Sequence, residues 1–194
     1  IYVPNDLIDH PDTKCVLDAI KLLREDLGPD VAIIGKTMGP WSLAYHCFGV
    51  EKFLLLSLDD PDATKDILAK LKKVTIDFGR AQIEAGVDAL TLPDHATGDL
   101  VSGAYYRDFL MELHQEMAER LDVPLILHIC GKTLDRMDYI AQSGMAAFHF
   151  DSKNDPQEAM DIVDGRIRLV GNINNPETLY ARGPAEVRQE VYRC

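Results

Sequence analysis

Val31-Ala32-Ile33-Ile34-Gly35-Lys36-Thr37-Met38-Gly39 is a short aliphatic run that ends in a glycine-bounded loop, and that loop decides between two folds. In an open doubly wound sheet the first such turn carries G-x-G-x-x-G, or the phosphate loop G-x-x-x-x-G-K-[ST]. Gly35 to Gly39 fits neither pattern. A closed βα barrel needs no such turn and is the favoured reading.

The same grammar continues outward from this stretch. Further aliphatic runs occur at Ala89 to Leu92, Leu125 to Cys130, Ala147 to Asp151 and Ile167 to Gly171, each followed by a polar loop and an amphipathic stretch. Asp60-Pro61 pairs a capping acceptor with proline at the first helical position. Ile67, Leu71, Val74, Phe78 and Ala81 form that helix's stripe, and Gly86 closes it. Ser102 opens another helix, with Tyr106, Phe109, Leu113 and Met117 on one face; Asp155-Pro156 and Asn175-Pro176 repeat the opening device. Strands alternating with helices give a parallel α/β sheet. The predicted fold is a partial (β/α)8 TIM barrel with about five βα units, forming a single domain over residues 1–194.

A full barrel takes about 250 residues. The chain begins without an initiator Met and stops inside the stripe Val187, Val191, Cys194, so it is expected to be a piece of a longer barrel protein. Five strands would leave two open sheet edges, which another copy or further chain should cover; a homo-oligomer is one outcome.

Composition narrows the partners. The chain is 46% hydrophobic and 27% charged, as in globular proteins, with 20 Lys and Arg against 32 Asp and Glu for a net charge of −12. That balance disfavours nucleic acid and anionic membranes and favours a small molecule or a protein. No apolar run approaches the roughly 20 residues of a membrane span. Cys15, Cys47, Cys130 and Cys194 lack disulfide-scaffold density, which points to a reducing, cytoplasmic setting. Cys15, Cys47 and Cys194 are read as packing residues.

Leu127-His128-Ile129-Cys130-Gly131 carries the chemistry. Residues two apart on a strand share a face, so His128 and Cys130 project together while Leu127 and Ile129 point into the helix layer. The pair falls at the C-terminal mouth, where barrel enzymes build their sites. Nitrogen plus sulfur selects zinc over magnesium or calcium, and a catalytic zinc takes three protein ligands and an open position. A hydrogen-bonded His beside a small apolar Cys, with no metal, is the competing reading. On the next strand, His149 points inward and Asp151 to the mouth, to orient a metal-bound His, to meet substrate, or to bond neighbouring loops. Strand parity does not decide the direction of Asp94 and His95, for which a solvated loop or helix cap competes with substrate contact. Asn172 ends the last strand, lining the pocket or forming a turn.

His128-Ile129-Cys130-Gly131, Met38-Gly39-Pro40-Trp41, Phe150-Asp151-Ser152-Lys153 and Leu169-Val170-Gly171-Asn172-Ile173, each after an aliphatic strand and in this order, resemble the uroporphyrinogen decarboxylase superfamily. The H-x-C-G element resembles its methylcobalamin:coenzyme M methyltransferase branch. The resemblance implies zinc at His128 and Cys130, a third Cys ligand beyond residue 194, and methyl transfer from methylcobalamin on a corrinoid protein to a thiol such as coenzyme M. A zinc-held thiolate would take the methyl group and leave the cobalt reduced. Candidate substrate contacts are Met38, Asp94, Asp151 and Asn172. The alternatives are tetrapyrrole decarboxylation, for which the mouth loops offer Lys36, Lys132 and Lys153 but no Arg, and an inactive module that only docks a corrinoid protein.

Overall fold

The computed structural model describes residues 1–194. Its five strands are β1 (Ile34–Lys36), β2 (Ala89–Pro93), β3 (Leu125–Ile129), β4 (Ala147–Phe150) and β5 (Arg168–Val170). They pair parallel and lie side by side in chain order. A doubly wound sheet reverses its order at a switch point; this sheet does not, so the fold is the partial barrel. Around it pack α1 (Pro11–Leu27), α2 (Pro40–Phe48), α3 (Val50–Asp59), α4 (Pro61–Ala85), the short α5 (Gly103–Tyr105), α6 (Met111–Arg120), the short α7 (Met137–Ile140), α8 (Pro156–Val163) and α9 (Pro184–Arg193).

Four strands fall within about a residue of the aliphatic runs, whereas β1 sits later than Val31 to Ile34. The N–H of Ile33 is taken by the Asp88 carboxylate at 2.7 Å, so regular pairing with β2 begins at Ile34 and Ala89. The pairing then runs on through Thr37 and Gly39, whose N–H groups donate to Thr91 and Pro93. Gly35 is there for space: a Cβ would stand 2.6 Å from Oε1 of Gln82. Gln82 instead accepts from the Lys36 N–H at 3.1 Å and donates to its carbonyl at 2.9 Å.

α4 opens and closes as read, with Asp60 accepting from the Ala63 N–H at 2.9 Å and Gly86 in the left-handed region. Its buried face is rotated from the expected stripe. Thr64, Leu68, Leu71, Thr75, Ile76, Gly79 and Gln82 are buried, and only Leu71 belongs to both sets. The cause is polar: Thr75 donates to the Met38 carbonyl at 2.7 Å and Thr37 donates back to the Thr75 carbonyl at 3.0 Å, so hydroxyls and an amide hold the loop after β1. The last opening device also shifts by one residue, because Asn174 rather than Asn175 accepts from the Glu177 N–H.

The core is continuous from the helix layer to the outward faces of the strands. Trp41 has no exposure and meets Phe53, Tyr45 and Phe109 at ring-centroid distances of 5.0, 5.9 and 5.9 Å. Leu127 and Ile129 are fully buried among the helices, as their parity requires.

Three cysteines are not packing residues. Cys15 is exposed because α1 buries Leu17 and Ile20, and a position two residues earlier lies about 200° round the helix. Cys47 is exposed at the outer end of α2, about 240° round from Trp41. Cys194 is exposed because α9 buries none of its residues. No helix is long and apolar enough to cross a membrane.

Candidate metal and substrate site

The sheet register builds the site. His128 of β3 stands opposite Pro93 of β2 on one side and His149 of β4 on the other. The two imidazoles stack at a centroid distance of 4.6 Å. Nδ1 of His128 lies 3.1 Å from the His149 carbonyl, which can only accept, so the proton is on Nδ1 and the lone pair on Nε2. Nε2 lies 3.0 Å from Sγ of Cys130. A nitrogen donor and a sulfur donor therefore meet at the strand's C-terminal end, with the ring oriented by a backbone oxygen as in many metal-ligating histidines.

The loop after β2 adds a donor that strand parity could not assign. His95, His128 and Cys130 bring ligand atoms to within 4.8 Å of one another. Asp94 does not join them and makes no solvated loop. It has no exposure; its oxygens accept from the Ser42 N–H at 2.7 Å and from Nε2 of His114 at 3.1 Å, tying the loop to α2 and α6. Nδ1 of His114 in turn meets the Tyr106 hydroxyl at 2.8 Å. Met38 is half-buried and offers its carbonyl to Thr75, away from the cavity.

Asp151 and Asn172 do come to the site. One Asp151 oxygen accepts from the Gly131 N–H and the other from the Lys153 N–H, both at 3.0 Å. Asn172, 2% exposed, donates to the carbonyls of Asn154 and Asp151 at 2.7 and 3.2 Å. Both line a cavity of about 900 Å³ together with His128, Cys130, His149 and Cys194. Sγ of Cys194 stands 3.7 Å from the Asn172 carbonyl oxygen of the side chain. The apolar stripe on α9 thus borders the cavity rather than a core.

Electrostatics follow from partial burial. Burial pushes the Cys130 thiol up, and the Asp151 charge adds to the rise. Burial pulls His149 and His95 down, assisted by the nearby His128, which favours neutral imidazoles. Burial alone would raise Asp151, but the Gly131 and Lys153 N–H groups, the Ser152 hydroxyl and the Lys153 charge together outweigh it and its carboxyl sits below the ordinary value.

Two buried side chains that the sequence did not single out organise the mouth. The guanidinium of Arg136, with no exposure, donates to the carbonyls of Ala96 and Val101 and so grips the loop after β2. Asn154 accepts from the Thr133 N–H at 2.7 Å and donates to the Gly131 and Asp151 carbonyls, both at 2.9 Å. A polar residue a few positions beyond a strand end is a weak signal, because turn residues look the same.

A parallel barrel sheet with a nitrogen–sulfur donor cluster and a cavity at its C-terminal end defines a βα-barrel protein with a candidate site at the barrel mouth. The chain belongs to the uroporphyrinogen decarboxylase (URO-D) family, whose model matches residues 2–194. It is 35% identical over 179 residues to the methylcobamide:CoM methyltransferase MtaA of Methanosarcina barkeri, covering 91% of this chain and 53% of that protein. It is 33% identical over 191 residues to the uroporphyrinogen decarboxylase of Edwardsiella ictaluri, covering 91% and 52%. Among solved structures, a methyltransferase from Methanosarcina mazei superposes with a TM-score of 0.94 at 30% identity, over 98% of this chain and 57% of that one. The chain spans about half the length of the curated relatives it matches.

Proposed function

We propose that this chain is part of a zinc-dependent methyltransferase that moves a methyl group from methylcobalamin on a corrinoid protein to a small thiol such as coenzyme M. The observation that carries the reading is the His128–Cys130 pair, with Nε2 and Sγ 3.0 Å apart and the ring held by the His149 carbonyl. One imidazole nitrogen and one thiolate sulfur fit zinc and suit neither magnesium nor calcium. Zinc, when bound, would hold the acceptor thiol as thiolate near neutral pH.

The chain's own residues would do the rest. His128 and Cys130 would hold the metal, and the His149 carbonyl would keep the His128 tautomer correct. Asp151 fixes the turn after Cys130 through the Gly131 N–H and, with Asn172, would contact the thiol substrate from the cavity wall. In the transfer a sulfur–carbon bond forms as the cobalt–carbon bond breaks, and the electron pair stays on cobalt. The thiol proton is lost to solvent when the thiolate forms, so no general base is assigned. Asp94 and Met38 serve as scaffold in this reading. The open mouth is where a corrinoid protein would dock.

The test uses the full-length protein with methylcobalamin and coenzyme M, following loss of the cobalt–methyl absorption. His128→Ala and Cys130→Ala should each abolish zinc binding and thiol methylation together. Full activity in either variant sinks the zinc scheme. Decarboxylation of a porphyrinogen with no thiol methylation would support the decarboxylase reading instead.

A further inference from the structure

We propose that Lys153 selects the acceptor by charge, giving up its bond to Asp99 to pair with the anionic end of a small thiol. The inference rests on the methyl-transfer reading above and deepens it, assigning a substrate class to the cavity and a residue that recognises it.

Of the three mouth lysines, Lys36 and Lys132 stay outside the cavity lining, and Lys153 is the one Lys or Arg that this chain contributes to it. Two carboxylates, Asp151 and Glu177, line the same cavity. Asp151 holds the Gly131 and Lys153 N–H groups, and Glu177 accepts from the side-chain amide of Asn174 at 3.3 Å. An anion entering along this wall meets repulsion at both acids and attraction at Lys153.

Two separate ties place the ammonium. The Lys153 N–H donates to Asp151 at 3.0 Å and the other Asp151 oxygen takes the Gly131 N–H, so the lysine springs from a turn fastened to the residue after Cys130. Its Nζ lies 3.0 Å from Oδ2 of Asp99, and that same oxygen stands 2.6 Å from where a Cβ on Gly131 would be. The cation therefore sits over the turn that follows the sulfur donor. Its charge is felt there, since it opposes the rise that burial and Asp151 impose on the Cys130 thiol. A thiol whose sulfur arrives beside Cys130 brings a negative group a few bonds away to the ammonium.

The bond to Asp99 is one that a substrate can replace. The Lys153 and Asp99 side chains are 55% and 40% exposed and belong to different loops, conditions under which an ion pair contributes little. A carboxylate or sulfonate on the thiol would keep the ammonium paired and release Asp99 to water. Lysine is a compact point charge with three rotatable donors, so the site would take either anion and reject a cationic tail.

Methyl transfer by the full-length zinc protein to four thiols tests this: the sulfonate coenzyme M, the carboxylate mercaptopropionate, neutral mercaptoethanol and cationic aminoethanethiol. The wild type should show lower KM for the two anions. Lys153→Met should raise their KM relative to that of mercaptoethanol by about five-fold, in KM rather than kcat, with zinc content unchanged. Lys153→Arg should keep the preference, Lys153→Glu should shift it toward aminoethanethiol, and Asp99→Asn, which frees the ammonium, should lower the KM of the anions. Equal KM for charged and neutral thiols in the wild type, or an equal rise for all four in Lys153→Met, overturns the proposal and leaves methyl transfer standing. Methylation of no thiol overturns the underlying reading instead. Binding of ethanesulfonate, which needs neither metal nor methyl donor, then decides the charge site: saturation-transfer NMR contact that Lys153→Met abolishes supports it, and contact that is absent or unchanged in the variant overturns it.

Discussion

Asp94 and His114 meet at 3.1 Å with neither side chain exposed, and the Tyr106 hydroxyl closes the far side of the imidazole at 2.8 Å. The chain of bonds is fully satisfied by a neutral ring that donates from Nε2 and accepts at Nδ1. His114→Ala would leave a buried carboxylate short of a donor and open a cavity. It should destabilise the protein by about 2–4 kcal/mol in urea unfolding. His114→Gln, which can still donate, should recover part of that loss.

Gly131 follows Cys130 with φ of +78°, and a Cβ there would sit 2.3 Å from Oγ1 of Thr97 and 2.6 Å from an Asp99 oxygen. Gly131→Ala should cost about 1–3 kcal/mol of stability. Because the strain falls next to Cys130, one of the two proposed zinc ligands, zinc affinity should drop as well under that reading, and calorimetric titration of the folded variant reads that second effect.

Asn154→Ala removes the partner of the Thr133 N–H and of the Gly131 and Asp151 carbonyls. A loss of about 3 kcal/mol is expected from leaving buried backbone groups unpaired. Asn154→Asp keeps the acceptor for Thr133 but forfeits both donors, so its unfolding midpoint should fall between those of the wild type and the alanine variant.

Lys72 of α4 pairs with Glu116 of α6, and Arg120 adds a second bond to the same carboxylate at 2.8 Å. Lys72 first, then Arg120, holds the Glu116 carboxyl below its ordinary value. A depressed acid stabilises the fold above its unfolded value of about 4.3 and loses that contribution as pH falls through the folded value. Lys72→Met should therefore lower stability modestly at neutral pH, the pair being partly exposed, and leave it unchanged below the folded value, so that the acid side of the stability–pH curve flattens.

How far the sequence could be read depends on where its signal was periodic. The aliphatic runs located four strands, because burial on a parallel strand needs unbroken apolar side chains, and the proline openings located the starts of α4 and α8. The α4 stripe was misplaced because Thr64, Thr75 and Gln82 occupy its inner face, and polar residues do not register as core. His128 and Cys130 were legible through the two-residue period of β3. His95 was not, since that period stops at Pro93 and the turn that carries the ring is held by Ser42 and Arg136, which are distant in sequence. Cys194 was assigned to a packed face because an apolar helix stripe looks alike whether it meets a core or a cavity.

Arg136 carries one more consequence. Its guanidinium spans the carbonyls of Ala96 and Val101, so the length of chain between them is set by a side chain that lies outside the cavity lining. Loops at barrel mouths ordinarily absorb insertions and deletions freely. This one cannot gain or lose a residue without releasing a buried cation, so among related sequences that keep the arginine it should be a stretch of constant length inside an otherwise variable rim.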